Sequence, residues 1–517
     1  MSPQLADALS RLPAYLGGHA AVSITALVIG MAISLPLALL SMRRPVLRAL
    51  LLGAASVVQT IPSLALLALF YPVLLGLAAL CERLFGAGFS ALGFLPSVLA
   101  LTLYSMLPVL RNTITGLQGI TPAITEAAQG VGMTRRQSLI MVELPLALLV
   151  IMAGIRTAAI WVIGAATLST PIGQTSLGNY IFTGLQTQNW VFVLFGCAAA
   201  AIFALAVDQL LALMEIGLTR RRRDWVIAGG SGLVLLTVGA LVPMLSQTHA
   251  TYTIGAKPFT EQYVLAALIE QRLRDNGLSA TTRDGLGSSV IFNALRSGEI
   301  DAYVDYSGTI WTNQMHRTDV KPRAEVLAEM EQWLEREHKI KLLGGLGFEN
   351  AYALAMPRAR AQALRIRTLA DLAGRARNLS IAGDYEFFGR PEWAAVRKTY
   401  GITFREQRQM QAEFMYTAVK QGEVDVIAGY TSDGRIAQFD LTVLEDPKRA
   451  IPPYDAVLLI SPQRANDEAL LAALRPLVNA INVATMREAN LRASGDSNAF
   501  PGEAARWLWS EIQKKKR

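Results

Sequence analysis

The 517-residue chain has no lysine in its first half: the first is Lys257, and arginine carries all of the basic charge before it. Only two cysteines occur, Cys81 and Cys197, both within or beside apolar runs. Because neither has a CxxC or histidine-rich context, we interpret them as small apolar residues and not as metal or redox groups. The part after residue 251 has no cysteine, which excludes disulfide crosslinks there.

Signatures of catalysis are also missing. No Gly-x-x-x-x-Gly-Lys-(Ser/Thr) segment occurs, so we expect that the chain cannot hydrolyse ATP alone. Four histidines and no Ser/His/Asp pattern indicate neither a catalytic nor a metal site. We therefore expect no enzyme and no cofactor. The net charge of +8 needs no nucleic-acid partner, because arginines beside apolar runs account for much of it.

Long apolar runs dominate the first 245 residues, and a helix needs about 20 such residues to cross a bilayer. Six runs qualify, at 20–41, 49–77, 92–113, 146–168, 190–214 and 225–246. The second contains Pro62, which predicts a kink or a break. Asp208 lies deep in the fifth, where a charge is costly unless it is paired or faces water. Asp208 is therefore interpreted either as a structurally paired charge or as a residue with a role in translocation.

The arginines are distributed asymmetrically around these spans. They follow the first, third and fifth spans, as Arg43, Arg44, Arg48, Arg111, Arg135, Arg136 and Arg220 to Arg223. The alternate loops are poor in basic residues, with Arg83 alone in one and none in 170–189. Because basic loops stay cytoplasmic, we predict a multi-pass protein of the cell (inner) membrane. Its residues after about 250 would then lie outside the cytoplasm.

The loop after the third span reads EAAQGVGMTRRQSLIMVELP. Glu126, Ala127 and Ala128 favour a helix, Gly132 permits a sharp turn, and Pro145 suits the first turn of the next helix. This spacing resembles the EAA loop of ABC-importer permeases. In that family the loop forms two short cytoplasmic helices that dock on the ATPase. The resemblance implies that Glu126, Ala127, Ala128 and Gly132 couple the chain to an ABC ATPase dimer.

The membrane part as a whole resembles the five-span permease of osmoprotectant ABC importers. The segment QTIPSLAL at 59–66 is similar to that family's second-span signature. The sixth span is then an added tether. We predict a transmembrane permease domain at 1–219, a tether at 220–249 and an extracytoplasmic substrate-binding domain at 250–517.

Strand and helix patterns alternate after residue 251, which is typical of an α/β domain. A strand is predicted at 252–255, with Thr260 capping the helix that follows. A helix–glycine–acid–strand unit occurs twice, which indicates two similar lobes. The strands of this unit are predicted at 300–305 and 424–428. The chain is predicted to cross between the lobes at 353–356 and 457–460. The second lobe would then comprise residues 359–452.

Motifs of this half resemble those of glycine betaine/carnitine/choline-binding proteins. They are GAKPFTEQ at 255–262, GEID and YSGT within 298–309, GYTSD at 429–433 and PPY at 452–454. With the permease-like part, the resemblance covers nearly the whole chain, and fused members of the family include ergothioneine importers. It implies a two-lobed, α/β periplasmic-binding-protein domain fused to an α-helical membrane domain of the type I ABC importer class.

The ligand class implied by this resemblance is a quaternary ammonium compound. Such an ion has no N–H to donate, so it is recognised by shape, dispersion and cation–π attraction. The resemblance places an aromatic cage on Tyr306, Tyr352, Tyr430 and Tyr454. Each lies where a strand pattern ends or a loop begins, the usual place for a cleft residue in α/β folds.

Members of the family also bind a ligand carboxylate with a lysine, a threonine and an arginine. The resemblance implies that Lys257, Thr309 and Arg390 do so here. These favour a carboxylated betaine, such as glycine betaine, carnitine or ergothioneine, over choline. A surface salt bridge is the other interpretation of Arg390. The surrounding segment FFGRPEW departs from the family's usual Arg-Asp-Gly run, and Phe388 or Trp393 could add an aromatic wall.

We therefore predict the fused permease and substrate-binding subunit of an ABC importer, present as a homodimer because the ATPase works as a dimer. A ligand-gated channel or sensory receptor is the main alternative. It would have no use for an EAA-like loop, and it would need a cytoplasmic output segment. A binding protein with only a membrane anchor is a third, but five spans beyond the tether are too many for it.

Overall fold

The computed structural model describes residues 3–85, 89–187, 189–245, 251–317, 319, 321–494 and 500–516. The chain divides into two compact units, one of Met1–Phe182 with Val191–Thr248 and one of Thr183–Trp190 with His249–Arg517. The predicted boundary between residues 249 and 250 lies outside the described residues. The division at 219 and 249 therefore stays a proposal.

The membrane part is helical. Its helices are α1 (Pro3–Ser41), α2 (Pro45–Thr60), α3 (Ser63–Phe85), α4 (Phe94–Gln118), α5 (Pro122–Gly130), α6 (Arg135–Ser138), α7 (Leu144–Ala166), α8 (Gly178–Gln186), α9 (Trp190–Thr219) and α10 (Arg223–Leu245). Among the residues that the structure describes, six helical stretches are long and apolar enough to cross a membrane, as the sequence predicted. Helix α4 packs against both α1 and α7, and α1 also packs against α10.

The predicted start of the first span is wrong. Helix α1 begins near residue 3 and not near residue 20. Asp7 and Arg11 form an ion pair of 2.9 Å one helical turn apart, which supports a helix although both residues are polar. Hydropathy alone does not include such polar residues in the span, although they belong to the helix.

The second apolar run is broken, as Pro62 predicted, so its predicted start near residue 49 is also wrong. Helix α2 ends at Thr60, and Ile61 takes an extended conformation with φ −76° and ψ 126°. A residue before proline is disfavoured in the helical region, and proline itself has no N–H for a helical bond. The membrane-crossing stretch is therefore α3 alone, since α2 has only 16 residues.

Helices α4 and α7 approach closely because Gly154 has no side chain. A Cβ at this position would lie 2.8 Å from the carbonyl oxygen of Pro108 and 2.6 Å from the Cβ of Asn112. Small residues at helix contacts in membranes allow such backbone approach. This contact holds the helix that follows the EAA-like loop against the centre of the bundle.

Asp208 is paired across two helices. The guanidinium of Arg156 on α7 donates from Nε and Nη2 to the two carboxylate oxygens of Asp208 on α9, at 2.8 and 2.9 Å. Its Nη1 donates to Glu215 on the same helix at 2.8 Å. A bidentate pair of this kind fixes both distance and orientation. Arg156 is therefore the partner that the pairing interpretation of Asp208 requires.

The two carboxylates around Arg156 predict an asymmetric response to mutation. Arg156→Met leaves Asp208 and Glu215 without their cation and should cost on the order of 3–5 kcal/mol of stability. Asp208→Asn keeps the Arg156–Glu215 pair and should cost clearly less. The thermal unfolding midpoint of the purified protein in detergent measures both. Equal losses would show that the charge balance of this cluster does not matter.

The second unit holds ten strands among its described residues. They are β1 (Tyr252–Gly255), β2 (Ala280–Arg283), β3 (Ala302–Tyr306), β4 (Lys341–Glu349), β5 (Tyr352–Pro357), β6 (Ser380–Gly383), β7 (Glu406–Gln409), β8 (Val426–Tyr430), β9 (Leu441–Val443) and β10 (Asp455–Ile460). Its helices are α11 (Thr260–Asp275), α12 (Ser288–Ser297), α13 (Ser307–Thr309), α14 (Arg323–His338), α15 (Arg358–Leu364), α16 (Leu369–Ala373), α17 (Pro391–Tyr400), α18 (Ala412–Gln421), α19 (Arg435–Gln438), α20 (Glu468–Leu474), α21 (Val483–Ser494) and α22 (Pro501–Lys516).

The strands form two five-stranded sheets of the same design. Their orders are β2-β1-β3-β10-β4 and β7-β6-β8-β5-β9. In each, three parallel strands are followed by an antiparallel strand, β10 or β5, that enters from the other lobe. The two predicted crossovers are these strands. Helices α20, α21 and α22 pack on α11, so the chain returns to the first lobe.

The repeated helix–glycine–strand unit is confirmed. Gly298 and Gly422 end helices α12 and α18 with φ of +77° and +76°, where glycine is favoured. The strands that follow, β3 and β8, hold the same third position in their sheets. The predicted cap at Thr260 is wrong by one residue, because Phe259 is the N-cap and Thr260 is the first helical residue.

Candidate ligand-binding site

A cavity of about 300 Å³ lies in the second unit, and all seven predicted ligand residues line it. They are Lys257, Tyr306, Thr309, Tyr352, Arg390, Tyr430 and Tyr454. The sheet design explains why they meet. Tyr306 and Tyr430 are the last residues of β3 and β8, while Tyr454 and Tyr352 lie at the start of the antiparallel strands beside them. Each lobe therefore presents two tyrosines at the same edge of its sheet.

The tyrosine rings are close enough to surround one small group. The rings of Tyr352 and Tyr430 have centroids 4.9 Å apart, and Tyr454 meets Tyr352 edge to face at 6.2 Å. Phe259 stacks on Tyr306 at 6.1 Å and on Tyr430 at 6.4 Å. Sequence reasoning missed Phe259 as a cavity residue, although it lies two positions after Lys257 in a motif that was recognised.

The ammonium group of Lys257 is already matched by a carboxylate. Lys257 is buried and donates from Nζ to Asp305, which is also buried. Asp305 accepts further from the hydroxyl of Tyr303 at 2.5 Å and from the backbone N–H of Tyr306 at 2.7 Å. The lysine also lies 5.6 Å from the ring centroid of Tyr306. The Lys257–Asp305 pair thus contributes little net charge to the cavity.

Arg390 forms a buried ion pair and not the surface salt bridge considered above. Its Nε and Nη2 donate to the two oxygens of Glu392 at 3.2 and 3.0 Å, and the Glu392 side chain is 1% exposed. Burial alone would raise the pKa of the Glu392 carboxyl, but the Arg390 guanidinium and the Tyr454 hydroxyl hold that pKa below its usual range. Arg390 also donates to the more exposed Glu386 at 3.2 Å.

Tyr306 is held in place by a buried carboxylate. Its hydroxyl donates to Glu261 at 2.5 Å, and Glu261 also accepts from the side-chain amides of Asn350 and Asn490 at 3.1 and 2.8 Å. Burial raises the pKa of both Glu261 and Tyr306. The tyrosine therefore stays a protonated donor, and its ring keeps one orientation.

The predicted aromatic wall from Phe388 or Trp393 is wrong. Neither lines the cavity in the described part of the chain. Trp393 is 2% exposed and packs in the core against Phe404 and Phe387, with centroids 6.2 and 5.3 Å away. The large apolar ring of Trp393, on helix α17, gains more from this burial than from lining a polar cavity. Tyr385, which is largely exposed, lines the cavity instead.

The EAA-like loop has the predicted two short helices, α5 and α6, followed by a π-helical turn at Leu139–Glu143. Gly132 joins them with a φ of +84°, in the left-handed region that favours glycine. Ala128 is buried, whereas Glu126, Ala127 and Gly132 are exposed. Three of the four predicted coupling residues are therefore accessible to a partner, and the fourth anchors the loop.

Two family models match the chain. Residues 250–510 match the substrate binding domain of the ABC-type glycine betaine transport system, and residues 26–221 match the binding-protein-dependent transport system inner membrane component. The chain belongs to the osmoprotectant family of ABC importers. This importer subunit fuses the permease and the binding domain that the two models describe, with the binding domain being of the extracytoplasmic type. It is a transport protein of the inner membrane and not an enzyme.

Known relatives resemble the importer subunit over one or both of its parts. The ergothioneine transport permease/ergothioneine binding protein EgtU of Helicobacter pylori is 28% identical over 86% of this chain and 80% of its own. The choline transport system permease protein OpuBB of Bacillus subtilis is 38% identical over 39% of this chain and 85% of its own. A glycine-betaine-binding protein of Pseudomonas aeruginosa is 33% identical over 53% of this chain and 92% of its own.

Among solved structures, a glycine betaine/carnitine/choline ABC transporter protein is 26% identical to the importer subunit. The match covers 51% of this chain and 98% of that chain, with a TM-score of 0.46.

Proposed function

We propose that the importer subunit captures a quaternary ammonium compound in its own binding domain and passes it through its membrane domain. The single observation that carries this proposal is the convergence of Tyr306, Tyr352, Tyr430 and Tyr454 on one cavity. A permanent cation without N–H groups gains from several aromatic faces at once. The names of the relatives, which include choline, glycine betaine and ergothioneine, support this ligand class.

Within this class we propose a carboxylated betaine. The cavity has Lys257, Thr309 and Arg390 beside its tyrosines, and a zwitterion needs a cationic group for its carboxylate. Both cations already have carboxylate partners, so a ligand carboxylate would share Lys257 with Asp305 or Arg390 with Glu392. The ligand-binding roles of all seven residues are part of this proposal.

The energy for import would come from a separate ABC ATPase dimer. Such a dimer offers one docking groove per subunit, so two copies of the importer subunit would be needed, one coupling loop for each. The exposed side chains of Glu126 and Ala127 and the exposed turn at Gly132 are where we place the contact. A homodimer of the importer subunit is part of the same proposal.

Tyr352 allows the ring and the hydroxyl to be tested separately, because its hydroxyl makes only long bonds, donating to Asp384 at 3.4 Å and accepting from Tyr430 at 3.3 Å. Tyr352→Ala removes one aromatic face and should weaken glycine betaine binding by about 1–2 kcal/mol, roughly 5- to 30-fold. Tyr352→Phe keeps the ring and should change affinity by less than about threefold. Calorimetry on the purified full-length protein measures both. Equal effects of the two substitutions would count against a cation–π cage.

A further inference from the structure

Asp384 is a carboxylate of the cavity that sequence reasoning did not single out. It follows β6, lines the cavity and is half-buried. Its Oδ1 accepts from the backbone N–H groups of Glu386 and Phe387 at 2.9 and 2.7 Å. Two such bonds fix the orientation of the carboxylate. The other oxygen, Oδ2, is thereby directed to the tyrosines of the cage.

Both cage tyrosines on the sheet of the second lobe, Tyr352 and Tyr430, donate to that oxygen. The hydroxyls of Tyr430 and Tyr352 each bond Oδ2 of Asp384, the latter at 3.4 Å. Burial raises the pKa of both phenols, so they remain protonated donors. A phenol that donates to a carboxylate has a more electron-rich ring, and cation–π attraction depends on that electron density. Asp384 therefore favours a cation at these rings in two ways. Its own negative charge attracts the cation, and the hydrogen bonds it accepts increase the electron density of the rings.

The lysine and the arginine that line the cavity pair with other carboxylates. Lys257 is paired with Asp305 and Arg390 with Glu392. In the part of the chain that the structure describes, no lysine, arginine or histidine forms an ion pair with Asp384. A carboxylate beside a partly desolvated cavity attracts a positive charge that enters it.

We propose that Asp384 is the counter-charge for the ligand's ammonium group and makes the site select for that charge. The inference rests on the proposed function and adds a specificity-determining residue to it. It also places the ammonium end of the ligand at Tyr352, Tyr430 and Asp384.

The test compares two probes of equal shape. Glycine betaine carries a trimethylammonium group, and 3,3-dimethylbutanoate carries an uncharged tert-butyl group in its place. Asp384→Asn can still accept the two backbone N–H bonds, but it removes the charge. It should weaken glycine betaine binding to the full-length protein by about tenfold and leave 3,3-dimethylbutanoate unchanged or bound more tightly. Calorimetry in detergent measures both affinities.

Three further variants complete the experiment. Asp384→Ser also removes the charge while keeping an oxygen that can accept the backbone bonds, and it should shift the ratio of the two affinities in the same direction. Asp384→Glu keeps the charge and should retain most of the preference for glycine betaine. Asp440→Asn makes the same charge change at a side chain that is 70% exposed, and it should not alter the ratio.

Each outcome decides the matter. If the neutral variants weaken both probes alike, Asp384 only positions the tyrosines, and the inference is wrong. It is equally wrong if they change neither affinity. If the unmodified protein binds glycine betaine, choline and ergothioneine no better than an unrelated amine, the proposed function fails, independently of Asp384.

Discussion

Replacing Arg390 with alanine should weaken glycine betaine binding by on the order of 2–5 kcal/mol and should also destabilise the binding domain. The first effect follows if a guanidinium beside the cavity holds the ligand carboxylate. The second follows from Glu392, whose buried carboxylate loses the cation that binds both of its oxygens. A loss of binding alone would therefore not show that Arg390 contacts the ligand.

Two comparisons separate these effects. Choline lacks the carboxylate, so the loss for choline should be clearly smaller than the loss for glycine betaine. The double variant Arg390→Met with Glu392→Gln removes both charges and should recover most of the stability, because no buried charge is left unpaired. If choline and glycine betaine lose equally in both variants, Arg390 supports the fold and does not recognise the carboxylate.

The stability effect of Arg390→Ala should depend on pH. The pKa of Glu392 is lowered in the folded protein, so the pair contributes stability above the ordinary pKa of a glutamate, and this is lost as pH falls through the lowered pKa. Without Arg390, burial raises that pKa, and the folded state then prefers the protonated acid. The destabilisation measured by thermal unfolding should therefore be larger near pH 7 than near pH 5.

The sequence predicted the architecture because the relevant signals are local. Apolar runs and the spacing of arginines define the spans, and a glycine that ends a helix before an alternating strand defines the lobe repeat. The family resemblance singled out the four tyrosines, and their places at strand ends agree with it, because the ends of such strands meet at one edge. Three predicted boundaries were wrong. The first span was begun too late and Thr260 was predicted as a cap because polar residues belong to the helices there. The second span was begun too early because proline breaks the apolar run.

What the sequence could not predict is how the charges of the site pair. Arg390 and Glu392 are two positions apart, a spacing that says nothing about a bidentate contact, and Lys257 meets Asp305 from 48 positions away. Asp384 follows a strand of the second lobe without any recognised motif around it. These contacts depend on tertiary geometry, and they change the interpretation of the cavity from two free cations to two paired cations beside the carboxylate of Asp384.

The second large effect is expected at the EAA-like loop, where Gly132→Trp should reduce uptake to background while leaving ligand affinity within about twofold. The turn at Gly132 is exposed, and a Cβ there would meet no atom within 4 Å. A tryptophan side chain would thus extend outward into the space that we assign to the ATPase. Uptake in cells that express the matching ATPase measures the first effect, and calorimetry on the purified protein measures the second.

Backbone strain must be separated from this steric block, because φ at Gly132 is +84° and any side chain is disfavoured there. Asparagine tolerates the left-handed region best among the other residues and adds little volume. The strain of a non-glycine residue at one position costs about 1–2 kcal/mol, too little to stop transport if the loop still docks. Gly132→Asn should therefore keep most of the uptake that Gly132→Trp removes. Normal uptake with tryptophan would show that the ATPase does not bind at this turn, whereas equal loss with asparagine would show that the turn's conformation, and not the space beside it, is what coupling requires.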